Sequence, residues 1–322
     1  MIRRASALVL AAALAAMAGT AAEAAYPERP ITLIVPWAAG GGTDATGRIL
    51  ASMMEQELGV PVNVVTRTGG SGVVGHSAIA TAQPDGYTLG VVTVELTMMH
   101  WQGLTELTYE DYTPLALYNA DPAGLQVAAD SEWQTAQDVL DAIEASPGEY
   151  KSSGTGQGGI WHLALAGMLA EAGIAPDAAP WVPSQGAAPA MQDLAAGGVQ
   201  IVTCSVPEAQ AMLEAGRAKS LAVMADERIP AFPDVPTLKE ATGLDWKVAA
   251  WRGIAGPAGL PQEVSDTITP LLKKIHESEQ FNDFMAQRGY GVVWRDAAGF
   301  HEWMAESDQA LGEVMKAVGL AQ

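Results

Sequence analysis

A single cysteine, Cys204, stands in 322 residues, so no disulfide can brace the chain from within. Past the first two dozen residues, no apolar run reaches the roughly 20 residues of a membrane helix. Positive charge is scarce. Lys and Arg number 17 against 37 Asp and Glu, a net −20 at pH 7, which makes nucleic acid and anionic lipid poor partners. The five histidines, His76, His100, His162, His276 and His301, show no metal-ligand spacing. No G-x-S-x-G occurs, and Ser71, though flanked by glycines, has no local base. These patterns offer no nucleophile elbow and no metal-ligand cluster.

The N-terminus has a pattern of its own. Arg3 and Arg4 precede an apolar stretch, Ala7–Met17, too short to cross a bilayer, and Ala22-Glu23-Ala24 offers small residues for cleavage. That order reads as a secretory signal peptide over residues 1–24, removed on export. Those residues hold two Arg and one Glu, so their loss takes the net charge to −21. What is left is long enough for one large domain or two ordinary ones.

The organising stretch is Ile31–Gly47, ITLIVPWAAGGGTDATG. It reads as a buried strand ended by Pro36, a glycine turn at Gly40–Gly42, and a helix that Thr43 or Asp44 can cap. N–H groups of such a first turn have no helical acceptor, and the helix dipole favours an anion beside them. The helix predicted over 43–58 stops at Gly59. A strand at 62–66, a second glycine turn at Gly69–Gly72, a helix to about Ala82 and a strand at 87–94 complete a β-α-β-α-β pattern, which implies parallel strands with ligands at their carboxyl ends.

The pattern restarts after two short predicted strands, 115–118 and 125–128. A third glycine turn, Gly154-Thr155-Gly156-Gln157-Gly158-Gly159, opens a helix from Ile160. Gly154-x-Gly156-x-x-Gly159 matches the dinucleotide fingerprint, but no acidic residue ends a following strand to hold a ribose. The better reading is another set of N–H donors for a carboxylate or phosphate. Further predicted elements are a helix at 189–196, a buried strand at 199–204, a helix opened by Pro207, a strand at 221–224 and another at 247–254. Helices from Pro261 and from about 297 are expected to pack back on the first unit. Two crossings, near 125 and 249, then join two lobes, 25–125 with 250–322 and 126–249. Trp37, Trp181 and Trp251 each fall near a strand end or crossing and together suit an aromatic or long-chain ligand body. Cys204 reads as a buried inert thiol, and Glu208 as a complement to its own helix dipole.

Several blocks stand in one order: PWAAGGGTDATGR, TGGSGVVGHSAIATAQPDGYTL, SGTGQGGIWHLA, VPSQGAAPAMQDLAAGGVQI, FPDVPTLKEATG and WRGIAGPAGLP. With them the chain resembles the periplasmic solute-binding proteins of tripartite tricarboxylate transporters, the Bug or TctC-type family. The resemblance implies an α/β, two-lobed Venus-flytrap clamshell, each lobe a mostly parallel sheet flanked by helices. It implies a monomer that binds a small carboxylate in the periplasm, without catalysis, and delivers it to membrane permease subunits. Carried over, Trp37, Ala38, Gly41, Gly42, Thr43 and Asp44, with Gly70, Ser71 and Gly72, would form the first lobe's carboxylate site. Thr155, Gly156 and His162 would face it, with Ser184, Gly186, Ala187 and Ser205 at the ligand's far end, and Trp251 at the mouth. The chain departs from the family where Cys204 replaces a frequent aspartate, where Ser184-Gln185 replaces a Tyr-Lys pair, and where the helix after His162 lacks a glutamate. A ligand sensor for a signalling partner would share this clamshell. A nucleotide-dependent enzyme built on the Gly154 turn is the remaining alternative, opposed by the export signal.

Overall fold

The computed structural model describes residues 26–322, so the signal-peptide expectation for residues 1–24 lies outside the described residues. Strand β1 (Ile31–Val35) lies between β2 (Val62–Thr66) and β3 (Thr88–Thr93), parallel to both. The connections are α1 (Gly42–Leu58) and α2 (Val73–Ala80). Helix α1 buries Leu50, Met53 and Met54, a stripe at helical spacing, and stops at Gly59, which adopts φ 70° and donates its N–H to Glu55 O. Its N-cap is Gly41, not Thr43 or Asp44, and has no side-chain cap. Asp44 instead reaches back to the Gly40 N–H at 3.0 Å and pairs with Arg48.

The two short strands expected at 115–118 and 125–128 are one strand, β4 (Tyr112–Ala128), 17 residues long. Asn119, Asp121 and Pro122 break the apolar pattern there without breaking the strand. The two polar side chains are fully buried and hydrogen-bonded, so burial does not force them into a loop. β4 serves two sheets. Its second part, Ala123–Ala128, joins β5 (Ser152–Ser153), β6 (Ile201–Ser205) and β7 (Ala218–Val223) in a second sheet, antiparallel to β6 and β7. β5 is parallel to β6. β8 (Ala249–Pro257) pairs antiparallel with the first part of β4, from Pro122↔Ala249 to Tyr112↔Pro257, and with β3. The sheets are therefore mixed. The mostly parallel arrangement holds for β2-β1-β3 and β5-β6, while β4 and β8 run against their neighbours, and β4 alone pairs in both sheets.

The helices on the second sheet are α3 (Ala136–Ala145), α4 (Ile160–Glu171), α5 (Ala187–Ala195), α6 (Val206–Glu214) and α7 (Leu238–Thr242). Residues 160–169 of α4 are all buried. A helix apolar on every side belongs in the interior, and this one sends its N-terminus toward the junction of the sheets. Helix α8 (Gln262–His276) buries Val264, Ile268, Leu272 and Ile275, the face expected from periodicity. Helix α9 (Glu279–Arg288) and strand β9 (Val292–Asp296) give no clear sequence signal, since α9 buries only Phe281 and Met285 and no β9 residue is fully buried. Helix α10 (Ala297–Ala317) returns to the first sheet, burying Phe300, Met304 and Met315 and accepting the Trp251 indole N–H on Ser307 at 3.1 Å.

Candidate ligand cleft

Where the two sheets meet, three helices begin on one small cavity and a fourth sends a side chain into it. Helix α1 presents Gly41, Gly42 and Thr43, α4 presents Ile160 and Trp161, α5 presents Gly186 and Ala187, and α6 contributes Glu208 from its first turn. Each start carries N–H groups without an intrahelical acceptor and the positive end of a dipole. The walls stand close around a cavity of about 20 Å³, room for roughly one water.

Arg252 of β8 is the hub. Its side chain is 2% exposed, and its register opposite Thr93 on one side and Asn119 on the other points it at the cavity. Nε donates to Thr43 Oγ1 at 3.0 Å, Nη1 to Asn119 and Asp121, and Nη2 to Glu208 Oε1 at 3.0 Å. Burial alone would lower the guanidinium's pKa, but Asp121 and Glu208 more than offset it and the net shift is upward. Glu208 does more than complement its own helix. Oε2 accepts the Ser205 N–H and hydroxyl in a capping box, while Oε1 crosses to the other sheet and accepts the Gly42 N–H at 3.2 Å. A protein carboxylate thus holds an anion position at the start of α1. Burial raises the Glu208 pKa, and Arg252 offsets only part of the rise.

Glu95 repeats the arrangement in the opposite sense. From the end of β3 its Oε1 accepts the Ile160 N–H at the start of α4, at 3.4 Å, and Oε2 accepts the Thr93 hydroxyl. Burial raises its pKa as well. Thr93 in turn receives the Trp37 indole N–H at 3.2 Å and gives its backbone N–H to His76 Nε2 at 3.1 Å. His76 Nδ1 must therefore carry the ring proton, which it donates to Gly72 O at 2.8 Å. The ring ties the second glycine turn to the wall.

Burial lowers His76 to about 4, and His162 likewise. The unfolded chain protonates these rings near pH 6.5 and the folded chain only near 4. Their contribution to stability is complete above pH 6.5 and is lost as pH falls toward 4, by roughly 1.4 kcal/mol for each pH unit crossed. His76→Gln is expected to flatten the urea-unfolding stability curve between pH 7 and 4; an unchanged slope would refute a neutral buried imidazole.

Of the residues expected at the site, Trp37, Ala38, Gly41, Gly42, Thr43, Thr155, Gly186, Ala187 and Trp251 line the cavity. The others do not. Asp44 is committed to Gly40 and Arg48, and Ser205 to Glu208. Gly70, Ser71 and Gly72 sit beside the cavity, where Ser71 Oγ donates to Gln157 O across the junction at 3.1 Å and Gly156 abuts Ser71. Ser184 donates to Gly186 O. His162 faces a separate groove, its Nδ1 taking the Gly158 N–H and its ring stacked on Trp181 at 4.5 Å. Trp181 belongs to that groove too, and Trp161 takes the place expected for it at the cavity. The Gly154 turn thus serves two ends: Gly156 packs against Ser71 of the other sheet, while Thr155 and the start of α4 line the cavity. Cys204 is buried, donates to Gln126 Oε1 at 3.4 Å and has a pKa raised by burial, as an inert thiol should.

Sequence reasoning missed Thr93, Glu95, Ile160, Trp161, Ala250 and Arg252, and gave Glu208 too small a role. One signal was available. Arg252 stands alone among uncharged residues in AAWRGIAGP, and a charge inside a buried strand needs a partner.

A family model described as the tripartite tricarboxylate transporter family receptor, TctC, matches residues 46–320. The UPF0065 protein in the tcbD-tcbE intergenic region of Pseudomonas sp. strain P51 is 31% identical over 285 residues, 88% of this chain and 83% of that protein. A TctC solute-binding protein from Polaromonas is 34% identical with a TM-score of 0.65, covering 91% of this chain and 99% of that one. The periplasmic binding protein BugD is 26% identical with a TM-score of 0.85, covering 92% and 99%. The fold is the α/β periplasmic-binding-protein architecture, with a mixed sheet. The chain belongs to the tripartite tricarboxylate transporter receptor family, as a periplasmic solute-binding protein and not an enzyme.

Proposed function

We propose that this protein is exported to the periplasm with residues 1–24 removed, captures a small carboxylate between two lobes, and delivers it to the membrane permease of a tripartite tricarboxylate transporter. The lobes are residues 25–125 with 250–322, and 126–249. The observation that carries this reading is the convergence of three helix starts, drawn from both sheets, on one cavity beside a buried arginine. Each helix dipole contributes about 0.3–1 kcal/mol toward an anion, and up to about 2 in partly buried geometry. Charge-assisted bonds from the first-turn N–H groups and Arg252 fix its orientation. Closure then excludes water and strengthens those bonds. Release to a permease requires reversible binding, at micromolar affinity or somewhat tighter, about −8 kcal/mol or stronger.

Calorimetric titration of the purified protein with mono-, di- and tricarboxylates is the test, and silence across the panel defeats the reading. Gly42→Ala sharpens it. A Cβ there would stand 2.8 Å from Arg252 Nη2 and 3.0 Å from Glu208 Oε1, crowding the N–H that receives the anion. The affinity is expected to fall at least about tenfold, roughly 1.4 kcal/mol.

A further inference from the structure

We propose that a carboxylate entering this cleft is accompanied by a proton, which Glu208 takes up as the ligand displaces it from the start of α1. This rests on the carboxylate-binding reading above and concerns the one carboxylate that takes this seat. The seat is already filled from within. Glu208 Oε1 accepts the Gly42 N–H at 3.2 Å and Arg252 Nη2 at 3.0 Å, beside a cavity of about 20 Å³, room for roughly one water. A ligand carboxylate reaches those two donors only if Oε1 leaves them. Arg252 is the one Lys or Arg among the described residues lining the cavity, so no second cation is at hand for the displaced charge.

The contacts Glu208 makes are those of a carboxylate. Oε2 accepts the Ser205 N–H and hydroxyl, so four donors hold the two oxygens, an arrangement that favours the ionised form. After the exchange Oε2 keeps its two donors, while Oε1 loses both of its own and stands against the ligand's carboxylate. Burial already disfavours the Glu208 charge, and moving off Arg252 removes the attraction that offsets part of that cost. Two carboxylates in one dry site do not both stay ionised. The ligand keeps its charge because it holds Arg252 and the Gly42 N–H. Glu208 is protonated and donates to it in a short, charge-assisted O–H···O⁻ bond. The charge around Arg252 is then conserved: one guanidinium, Asp121 and one further carboxylate, first that of Glu208 and afterwards the ligand's.

The other titratable groups facing Glu208 do not take the proton. Asp121 of β4 keeps its bonds from Arg252 Nη1, Asn119 and the Gly291 N–H. Cys204 of β6 and Tyr290, ahead of β9, have pKa values raised by burial and stay neutral. Glu95, on the same cavity, keeps the Ile160 N–H and the Thr93 hydroxyl, neither of which the ligand displaces. Thr155 lines the cavity at 4% exposure, and its Oγ1 has no hydrogen-bond partner. A buried hydroxyl is costly to leave unpaired, and this one can donate to the incoming carboxylate.

Calorimetric titration of the purified protein with butyrate, succinate, malate and adipate tests this at pH 7 and pH 8, where these ligands are ionised. Each titration is run in imidazole, triethanolamine and Tris, cationic buffers of differing ionisation enthalpy. The slope of the apparent binding enthalpy against that enthalpy counts the protons. Binding is expected to take up more than about half a proton per ligand, and the affinity to fall at least about threefold from pH 7 to pH 8, a full proton corresponding to about tenfold. In Glu208→Gln the uptake and the pH dependence disappear, and the affinity at pH 8 exceeds that of wild type, because an amide leaves the seat without stranding a charge. Glu95→Gln keeps the uptake. Thermal melts establish that each variant is folded, and the wild-type proton count stands without them. Carboxylate binding without proton uptake, or uptake that survives Glu208→Gln or is lost in Glu95→Gln, overturns the inference while carboxylate binding stands. Silence toward all the ligands overturns the carboxylate reading together with it.

Discussion

Arg252→Met is expected to lower the unfolding free energy by about 3–5 kcal/mol, the range for removing one partner of a buried ion pair. The guanidinium joins four elements: its own β8, β4 through Asn119 and Asp121, α1 through Thr43, and α6 through Glu208. Methionine fills much of the volume but satisfies none of these groups. Asp121 is fully buried and the Glu208 side chain is 5% exposed, so two carboxylates would remain in a dry interior with their cation gone. Urea unfolding measures the loss. Burial already raises the Glu208 pKa, and Arg252 is the charge that lowers it. In the variant the folded-state pKa therefore rises further above the unfolded value. A raised carboxyl pKa favours the folded state at low pH and disfavours it as pH rises. The deficit should be smaller at pH 5 than at pH 8. Adding Asp121→Asn and Glu208→Gln to Arg252→Met should restore part of the stability, since the penalty comes from unpaired charge. A loss under about 1 kcal/mol, or no recovery in the triple variant, would show that the cluster is not held by its charges.

Gly156→Ala is expected to act as a wedge, weakening carboxylate binding at least tenfold while leaving the unliganded fold intact. A Cβ at this position would lie 2.4 Å from Ser71 Oγ and 2.6 Å from Ser71 Cα. The hydroxyl can rotate away, but the Cα cannot. Ser71 holds φ 53°, the one non-glycine residue with positive φ among those described, between Gly70 and Gly72. Overpacking of this kind is relieved by backbone movement, and here the two backbones belong to loops on different sheets. The movement available is separation of the loops, opposite in sense to closure. Small-angle scattering should then give a larger radius of gyration for the variant than for wild type in the presence of ligand. Calorimetry should give a weaker complex. Wild-type affinity and wild-type dimensions together would show that the contact does not govern closure.

Much of the local structure was legible along the chain. Ile31–Val35, Gly40–Gly42 and the Leu50/Met54 stripe announce a strand, a turn and a helix, because each signal comes from neighbours in sequence acting through backbone angles and burial period. Gly59 ending α1 is of the same kind. β9 was not legible, since an edge strand with no fully buried residue shows no alternation. Nor was the continuity of β4, because Asn119, Asp121 and Pro122 look like a loop until their partners are known.

The site divides in the same way. That glycine turns open helices at 40–43 and 154–160 followed from the sequence alone, as did the acidic balance and the lone buried cysteine; the start of α5 at Ala187, two residues ahead of the helix expected at 189–196, did not. Which of those turns share a cavity was settled only by the tertiary structure. The turn at 70–72 became a contact between sheets, and His162 and Trp181 went to a groove of their own. The charge cluster of Glu95, Asp121, Glu208 and Arg252 could not be read in advance. Its members are scattered along the chain, and a buried charge is explained by whatever the fold brings to it from elsewhere. Local geometry is written in neighbouring residues; electrostatic pairing across a cleft exists only once distant segments are packed together.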